Sequence, residues 1–430
     1  MTWRRVVVVS VTISAVASLA RGQTGPSAMS AADLVEIATQ RNSEFLAAKQ
    51  RIAETQGLLR RAGVRPAPAV EIEESSGKPL GSRGEEVFSA GYFHTIETFG
   101  KRGKRVAVAH KSTEAAEADL ADHLRLLTFD VKMRYAQALR EQQKLETIQR
   151  LFSTNREYYR LTDMRVQRGD AAPLEGQLFL TDLSRVEAQQ VVLANSADRA
   201  LLELRKAVGV PPVEPLPLLA TALPATTKSS PSELQEQALR DRPDLRALQL
   251  LEEQALAEEN LTRAEGKPDV TVSARYARTN SAFDQLGYDR VGQLVPLRDR
   301  DHILTVGLSV LLFQPKRNQG AMEAARARSA AARLRREHLE AVVRLEVEAA
   351  FRRWQSAKGI VEILNRGVIG QSERNLAMIR QAHALGQLRI LDVLNEQRRL
   401  IETQLVYLDA QSELFEAFAE LERSVGGSIQ

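Results

Sequence analysis

The side chains best suited to chemistry in this chain are six histidines, and their spacing gives them none to perform. His94, His110, His123, His302, His338 and His383 form no HxxxH pair, so no helix face presents two imidazoles to a metal. There is no cysteine, which removes disulfides, thiolate metal sites and a lipid-attachment cysteine. The methionines beyond Met1 make no ladder suited to soft copper. No Ser/His/Asp set or carboxylate pair can be argued from spacing, so no catalytic residue, no metal ligand and no cofactor is assigned, and no enzyme is expected. Gly100-Lys101-Arg102-Gly103-Lys104 suggests a phosphate loop, but it lacks that loop's leading glycine and the Ser/Thr after Lys104. It reads instead as a strand-to-helix joint carrying basic side chains. Trp354 falls on an apolar seam and reads as packing.

The elements that position these residues are dominated by two stretches. Lys101 to Arg168 has no proline, and strong helix formers fill it. Apolar or small residues recur at 4–3 spacing: Leu120, Leu124, Leu127, Val131, then Ala138, Leu145, Ile148, Phe152, Tyr159. Arg134, Glu141 and Asn155 interrupt the seam. This is the coiled-coil period, and a helix of this length spans about 100 Å. A second stretch, 317–385, repeats it with a cleaner seam of Val343, Val347, Ala350, Trp354, Ala357, Val361, Leu364 and Val368.

The net charge of +4 over 430 residues is spread as interleaved acids and bases. That is the pattern of solvated helix faces, and no basic face for nucleic acid is gathered. At the start, Arg4 and Arg5 precede the apolar run from Val6 to Val16, and small residues follow at Ser18-Leu19-Ala20. This is the layout of a secretory signal, taken as residues 1–22, and the run is too short for a good spanning helix.

The remaining order is given twice. A first repeat, 23–210, reads as a helix, a β-hairpin over 68–98, the long helix 101–168 and a helix 173–208. A proline-rich linker, 211–230, follows. A second repeat, 231–430, reads as a helix, a hairpin over 268–312, the long helix 317–385 and a helix 389–425. The residues align across the halves: Arg41-Asn42-Ser43-Glu44 with Asp241-Arg242-Pro243-Asp244, Val131 with Val347, Gly169 with Gly386, Val208-Gly209 with Val425-Gly426. Such a repeat signals internal duplication. In each half the two shorter helices together match the long one, as if the long helix had a partner strand made of two pieces.

The hairpins supply four short strands. In the second, Leu304, Val306, Leu308 and Val310 share one face, while 279–300 reads as a polar loop. Four strands are too few to close a barrel, for which about eight is the lower limit. Left open, they expose edges and apolar surface. Apolar-out, polar-in alternation is the signature of a membrane barrel strand.

This arrangement, helix, hairpin, long helix, short helix, given twice, resembles the TolC-type outer-membrane efflux family over nearly the whole chain. Asp241-Arg242-Pro243-Asp244-Leu245 is similar to that family's helix start, and Gly386 with Ile390-Leu391-Asp392-Val393-Leu394 to its periplasmic turn. Ile96-Glu97-Thr98-Phe99-Gly100-Lys101-Arg102 and Lys316-Arg317-Asn318-Gln319-Gly320 resemble the CzcC-like cation-efflux branch. Many members of that branch are lipoproteins, whereas this chain has no cysteine to lipidate.

The resemblance implies a mainly α fold with a small β part. Three chains would join their strands into a twelve-stranded barrel in the outer membrane. Their helices would form an α-barrel tunnel in the periplasm. A homotrimer so built would contact outer-membrane lipid, a periplasmic adaptor (membrane fusion) protein and an inner-membrane pump of the resistance-nodulation-division type, and no nucleic acid. Leu304, Val306, Leu308 and Val310 would face lipid. The turns at Gly169 and Gly386 would form the periplasmic tip. There Asp392 matches an acidic position of the family, Glu175 is its counterpart in the first repeat, and Asn395 stands where some members carry a second acid. Arg389 could pair with Asp392 or Glu175 and hold the tip shut. Read from position alone, Glu175 and Asp392 are helix-start acids favoured by the helix dipole. The implied role is an exit duct of a tripartite efflux system, with divalent heavy-metal cations as cargo. The alternatives are a duct for drug or organic efflux, a type I protein-secretion duct, a periplasmic coiled-coil adaptor and a soluble coiled-coil scaffold.

Overall fold

The computed structural model describes residues 28–81, 86–220, 227–312 and 315–429. The expected signal segment and part of the proline-rich linker lie outside the described residues. The chain is mainly helical, with a small antiparallel sheet at one end.

Helix α1 (Ala31–Arg41) and helix α2 (Ser43–Ala62) stand where the sequence predicts one helix. The break is local chemistry. Asn42 takes an extended backbone and its side chain accepts the Phe45 amide at 3.0 Å, starting a new helix. Two hundred residues later, α5 (Pro231–Asp241) and α6 (Pro243–Glu265) break at Arg242 in the same way. Here Pro243 lacks the amide that would have continued the first helix.

The first long helix, α3 (Lys101–Gln167), is a single element of 67 residues. It packs against α1 and α2 towards the sheet and against α4 (Pro173–Val208) towards the other end. The second expected long helix is interrupted. Helix α7 (Pro315–Ile363) passes through a π-helical turn, Leu364–Val368, into α8 (Ile369–Ala384). The seam changes character there: Val343, Val347, Ala350, Trp354, Ala357 and Val361 are buried, whereas Val368 is 40% exposed. The extra residue of a π turn rotates the following seam off the face it had kept. Helix α9 (Ile390–Val425) packs on both α7 and α8. Trp354 belongs to the core, with Phe351 tilted against it at 5.6 Å.

The strands are β1 (Ala69–Ser76), β2 (Glu86–Ile96), β3 (Val270–Tyr288) and β4 (Leu294–Val310), antiparallel in the order β1-β2-β3-β4. The stretch 279–300 is therefore no loop. Ladder pairing continues through Ala282↔Arg298, slips at a bulge, and resumes up to Tyr288↔Leu294. Its polar residues hide the strands, because they lack the apolar side by which alternation is read.

The two halves keep the same junction. Asn42 Nδ2 donates to the Ala207 carbonyl at 2.8 Å, and Arg242 Nη1 donates to the Ser424 carbonyl at 3.2 Å. Gly209 and Gly426, both with positive φ, press on these breaks. A β-carbon on Gly209 would lie 2.8 Å from the Arg41 carbonyl carbon. Duplication is thus written in the packing as well as in the order of elements.

Candidate functional site

Two regions carry residues singled out by the sequence: the helical tip opposite the sheet, and the sheet itself.

At the tip, α3 ends on Gly169 (φ 78) and α8 ends before Gly386 (φ 76), left-handed positions that favour glycine. The chain then turns into α4 and α9. Ile390, Val393 and Leu394 of α9 pack with Phe179 of α4, against Tyr158, Tyr159 and Ile379. Tyr158 stacks on Phe179 with ring centres 6.3 Å apart, and the Arg380 guanidinium lies 5.3 Å above the Tyr158 ring. Burial of this α9 stripe sends Asp392 and Asn395 to the exposed face, and Arg389 is exposed at the helix start. Glu175 is half-buried in the first turn of α4.

Asp392 has a defined local role. Its Oδ2 accepts the Arg389 backbone amide at 3.0 Å, closing the first turn of α9. Among the described residues no ion pair joins the Arg389 side chain to Asp392 or Glu175, and within one chain Glu175 and Asp392 are not bonded to each other. The clasp expected of Arg389 is therefore a backbone cap in the single chain.

Just inside the tip lies a polar cluster that the sequence marked only by the interrupted seam. Asn155 of α3 is 1% exposed. Its Nδ2 donates to Asp182 Oδ2 of α4 at 2.9 Å, and its Oδ1 accepts from Gln397 Nε2 of α9 at 2.7 Å. Arg398 and Arg185 both reach Asp182 Oδ1, at 3.1 and 3.2 Å. The cluster ties the first repeat to the second. Buried polar contacts in a coil fix register and are costly to leave half-satisfied. The other two interruptions are ordinary: Arg134 pairs with Asp130 and Glu203, and Glu141 with Arg140.

At the sheet end, Leu304, Val306, Leu308 and Val310 are 46–74% exposed and share one face with Val70, Ile72, Tyr92 and Ile96. The opposite face is polar. There Arg275 reaches across Gly91, which offers no side chain, to Glu71 and Glu73 at 3.3 and 3.4 Å. β1 and β4 are edges of the sheet. No described helix is long and apolar enough to cross a membrane.

The Gly100 to Lys104 stretch joins β2 to α3, and its cations are engaged within the chain. Lys101 Nζ meets Asp269 at 2.8 Å and the Lys267 carbonyl at 2.7 Å. Arg102 donates to the Gly63 carbonyl, and Lys104 to that of Phe99. Among the described residues no cluster of three or more His, Asp or Glu is placed to hold a metal ion.

A sequence profile described as outer membrane efflux protein matches residues 34–210 and again 234–427. Among solved structures, the outer-membrane channel OprN superposes with a TM-score of 0.72 at 21% identity, covering 93% of this chain and 90% of its own. CusC, described in connection with transmembrane channel formation, gives 0.71 at 17% identity, over 93% and 92%. The open state of the MtrE outer membrane channel of Neisseria gonorrhoeae gives 0.71 at 19% identity, over 93% and 89%. At these identities the likeness is one of fold. No curated protein matches the sequence.

Proposed function

The chain belongs to the outer membrane efflux protein family, and on that footing we propose that it is the outer-membrane exit duct of a tripartite efflux system. One observation carries this reading. A four-stranded sheet stands at the end of a rod, with both edges unpaired and its outward apolar face uncovered. Four strands cannot close on themselves. Three copies supply twelve, pair every edge and turn the apolar face to lipid, which removes both costs at once. The helices beneath then line a tunnel through the periplasm, and the chain is a homotrimer. It works as a passive conduit and performs no reaction.

At the tip, three copies of Asp392 and three of Glu175 gather near one axis. Like charges there repel one another and attract cations, so they set how readily the tip opens and what blocks it. Asn395 adds no charge to that ring. Arg389, joined to no carboxylate by an ion pair among the described residues, is available to a neighbouring copy. Opening follows when a periplasmic adaptor and a resistance-nodulation-division pump dock.

For cargo we favour divalent heavy-metal cations. The support is the resemblance of Ile96 to Arg102 and of Lys316 to Gly320 to the CzcC-like branch. Selectivity for the metal then rests with the pump.

The duct reading is tested by planar-bilayer recording on the purified protein. Stable channels blocked by divalent cations from the tip side support it, and a protein that never conducts refutes it. The cargo is tested by deletion. Lost tolerance of divalent metals supports cation export, lost tolerance of drugs points to organic efflux, and loss of a secreted protein points to type I secretion.

A further inference from the structure

Above the apolar band, the outward face of the sheet changes character. The register places Arg278 opposite His302, Asn280 opposite Arg300 and Ala282 opposite Arg298. By strand alternation all of these share the face of Leu304 and Val306. Three guanidiniums therefore climb the outward face in successive rows, about 7 Å apart along the strand.

Arginines elsewhere in this chain commonly meet carboxylates, as Arg275, Arg336 and Arg353 do. Among the described residues Arg278, Arg298 and Arg300 form no ion pair. Arg278 Nε is buried without a hydrogen-bond partner. Arg300 Nε donates only to the neutral Asn280 side chain, at 3.1 Å. The nearby acids are otherwise placed. Glu86 is paired with Lys78. Asp299 alternates off the arginine rows and accepts the Arg300 backbone amide, although it borders the same space. Glu74 is separated from Arg278 in its row by Phe88. The space over these rows is a cavity of about 1000 Å³ lined by the cations Lys78, Arg278, Arg298 and Arg300, by Asn280, and by the two acids Glu86 and Asp299, so cations outnumber acids four to two.

The rows also sit at a defined depth. Immediately below them the Tyr276 hydroxyl meets His302 Nδ1 at 2.6 Å, with the rings stacked at 6.0 Å. A polar-tipped aromatic at the rim of an apolar band marks the level of lipid headgroups. Planar guanidinium forks take phosphate oxygens two at a time.

We propose that Arg278, Arg298 and Arg300 bind the phosphate groups of an anionic outer-leaflet lipid. The lipid's acyl chains lie along Leu304, Val306 and Leu308. The apolar band directly below the arginines is what favours a lipid over a free anion. This inference rests on reading the sheet as part of a membrane barrel.

The test uses the purified full chain in detergent. It is titrated with diphosphorylated lipid A, with the same glycolipid stripped of its phosphates, with phosphatidylcholine and with inorganic phosphate. Bound lipid is counted by native mass spectrometry. Lipid A is expected to be retained and the two phosphate-poor or neutral-headgroup lipids to wash away. The triple variant R278Q/R298Q/R300Q is expected to weaken lipid A binding on the order of 100-fold, at about one kcal/mol per removed charge. R290Q, at the hairpin turn, is expected to bind as the parent does. Equal retention of the dephosphorylated glycolipid, an unchanged triple variant, or displacement of lipid A by inorganic phosphate at equal concentration overturns the proposal. The arms on the unaltered protein decide the matter even if the triple variant fails to fold. A protein that does not float with phosphatidylcholine liposomes refutes the membrane reading itself. One that floats but ignores lipid A refutes this inference alone.

Discussion

Asn155 hands its side-chain amide to the Asp182 carboxylate over 2.9 Å, and the two residues are 1% and 8% exposed. Gln397 completes the contact from the other repeat. Here buried polar side chains of α3, α4 and α9 bond to one another and fix the register of the three helices. Slippage by one turn would bury Asp182 without its donors, at a cost no apolar contact offsets.

Asn155→Ala is therefore expected to destabilise the protein by about 1–3 kcal/mol, the cost of leaving a buried polar group unsatisfied. A double-mutant cycle with Gln397→Ala should return a coupling of about 0.5–3 kcal/mol. Denaturation midpoints of the detergent-solubilised protein measure both. Strict additivity would mean that the three helices are not held by this cluster.

The glycines separate strain from crowding. Gly386 has φ 76 and open space around it, whereas Gly209 has φ 81 and a backbone neighbour 2.8 Å from any added β-carbon. Gly386→Ala should cost about 1–2 kcal/mol, the strain of a left-handed alanine. Gly209→Ala should cost at least about 1 kcal/mol more, because the Arg41 backbone must also move. Thermal midpoints compare the two, and equal losses would contradict the tight junction between α1 and the end of α4.

Asp392 has a backbone bond and a charge, and two substitutions divide them. Asp392→Asn keeps an acceptor for the Arg389 amide but removes the charge, while Asp392→Ala removes both. If the tip acts through charge, both variants reduce divalent block and raise open probability in bilayers. If only the cap matters, Asp392→Asn records like the parent.

Glu416 gives a pH dependence with a definite sign. Burial raises its pKa above the usual 4.5, with Glu413 adding to the rise, while the Ser412 hydroxyl, Arg140 and Arg353 pull the other way. Between the unfolded and the folded value, the folded chain therefore holds a proton that the unfolded chain has released. The resulting stability is full below the unfolded value and is lost as pH rises through the folded one. Glu416→Gln should flatten the stability profile above pH 4.5 and raise stability near neutrality. A profile that keeps the parent's slope over that range would show that Glu416 is not its source.

Much of the fold was legible because the two periods are so different. A 4–3 seam held over dozens of residues leaves little but a coil. Strict alternation at Leu304, Val306, Leu308 and Val310 fits no helix period, so these four read as one strand face from sequence alone. The helix break at Asn42 was hidden, since apolar periodicity continues across it and only a cap marks the joint, whereas at Arg242 periodicity also runs on and the break showed only as the resemblance of Asp241 to Leu245 to a helix start. The π turn at Leu364–Val368 was hidden for a similar reason, because the 4–3 pattern runs on through it. At the tip, Gly169, Gly386, Glu175 and Asp392 were legible as turn and helix-start residues. The Asn155, Asp182 and Gln397 cluster was not, because its members lie on three helices, and only Asn155 disturbed a seam.

On the proposed reading the sheet is complete only in company, and only in lipid or detergent. The most direct test is the protein mass of the purified protein by density-matched sedimentation, with and without detergent. Three chains in one detergent-bound particle, and precipitation when detergent is withdrawn, are the expected result. A single chain that stays dispersed in detergent-free buffer would contradict it.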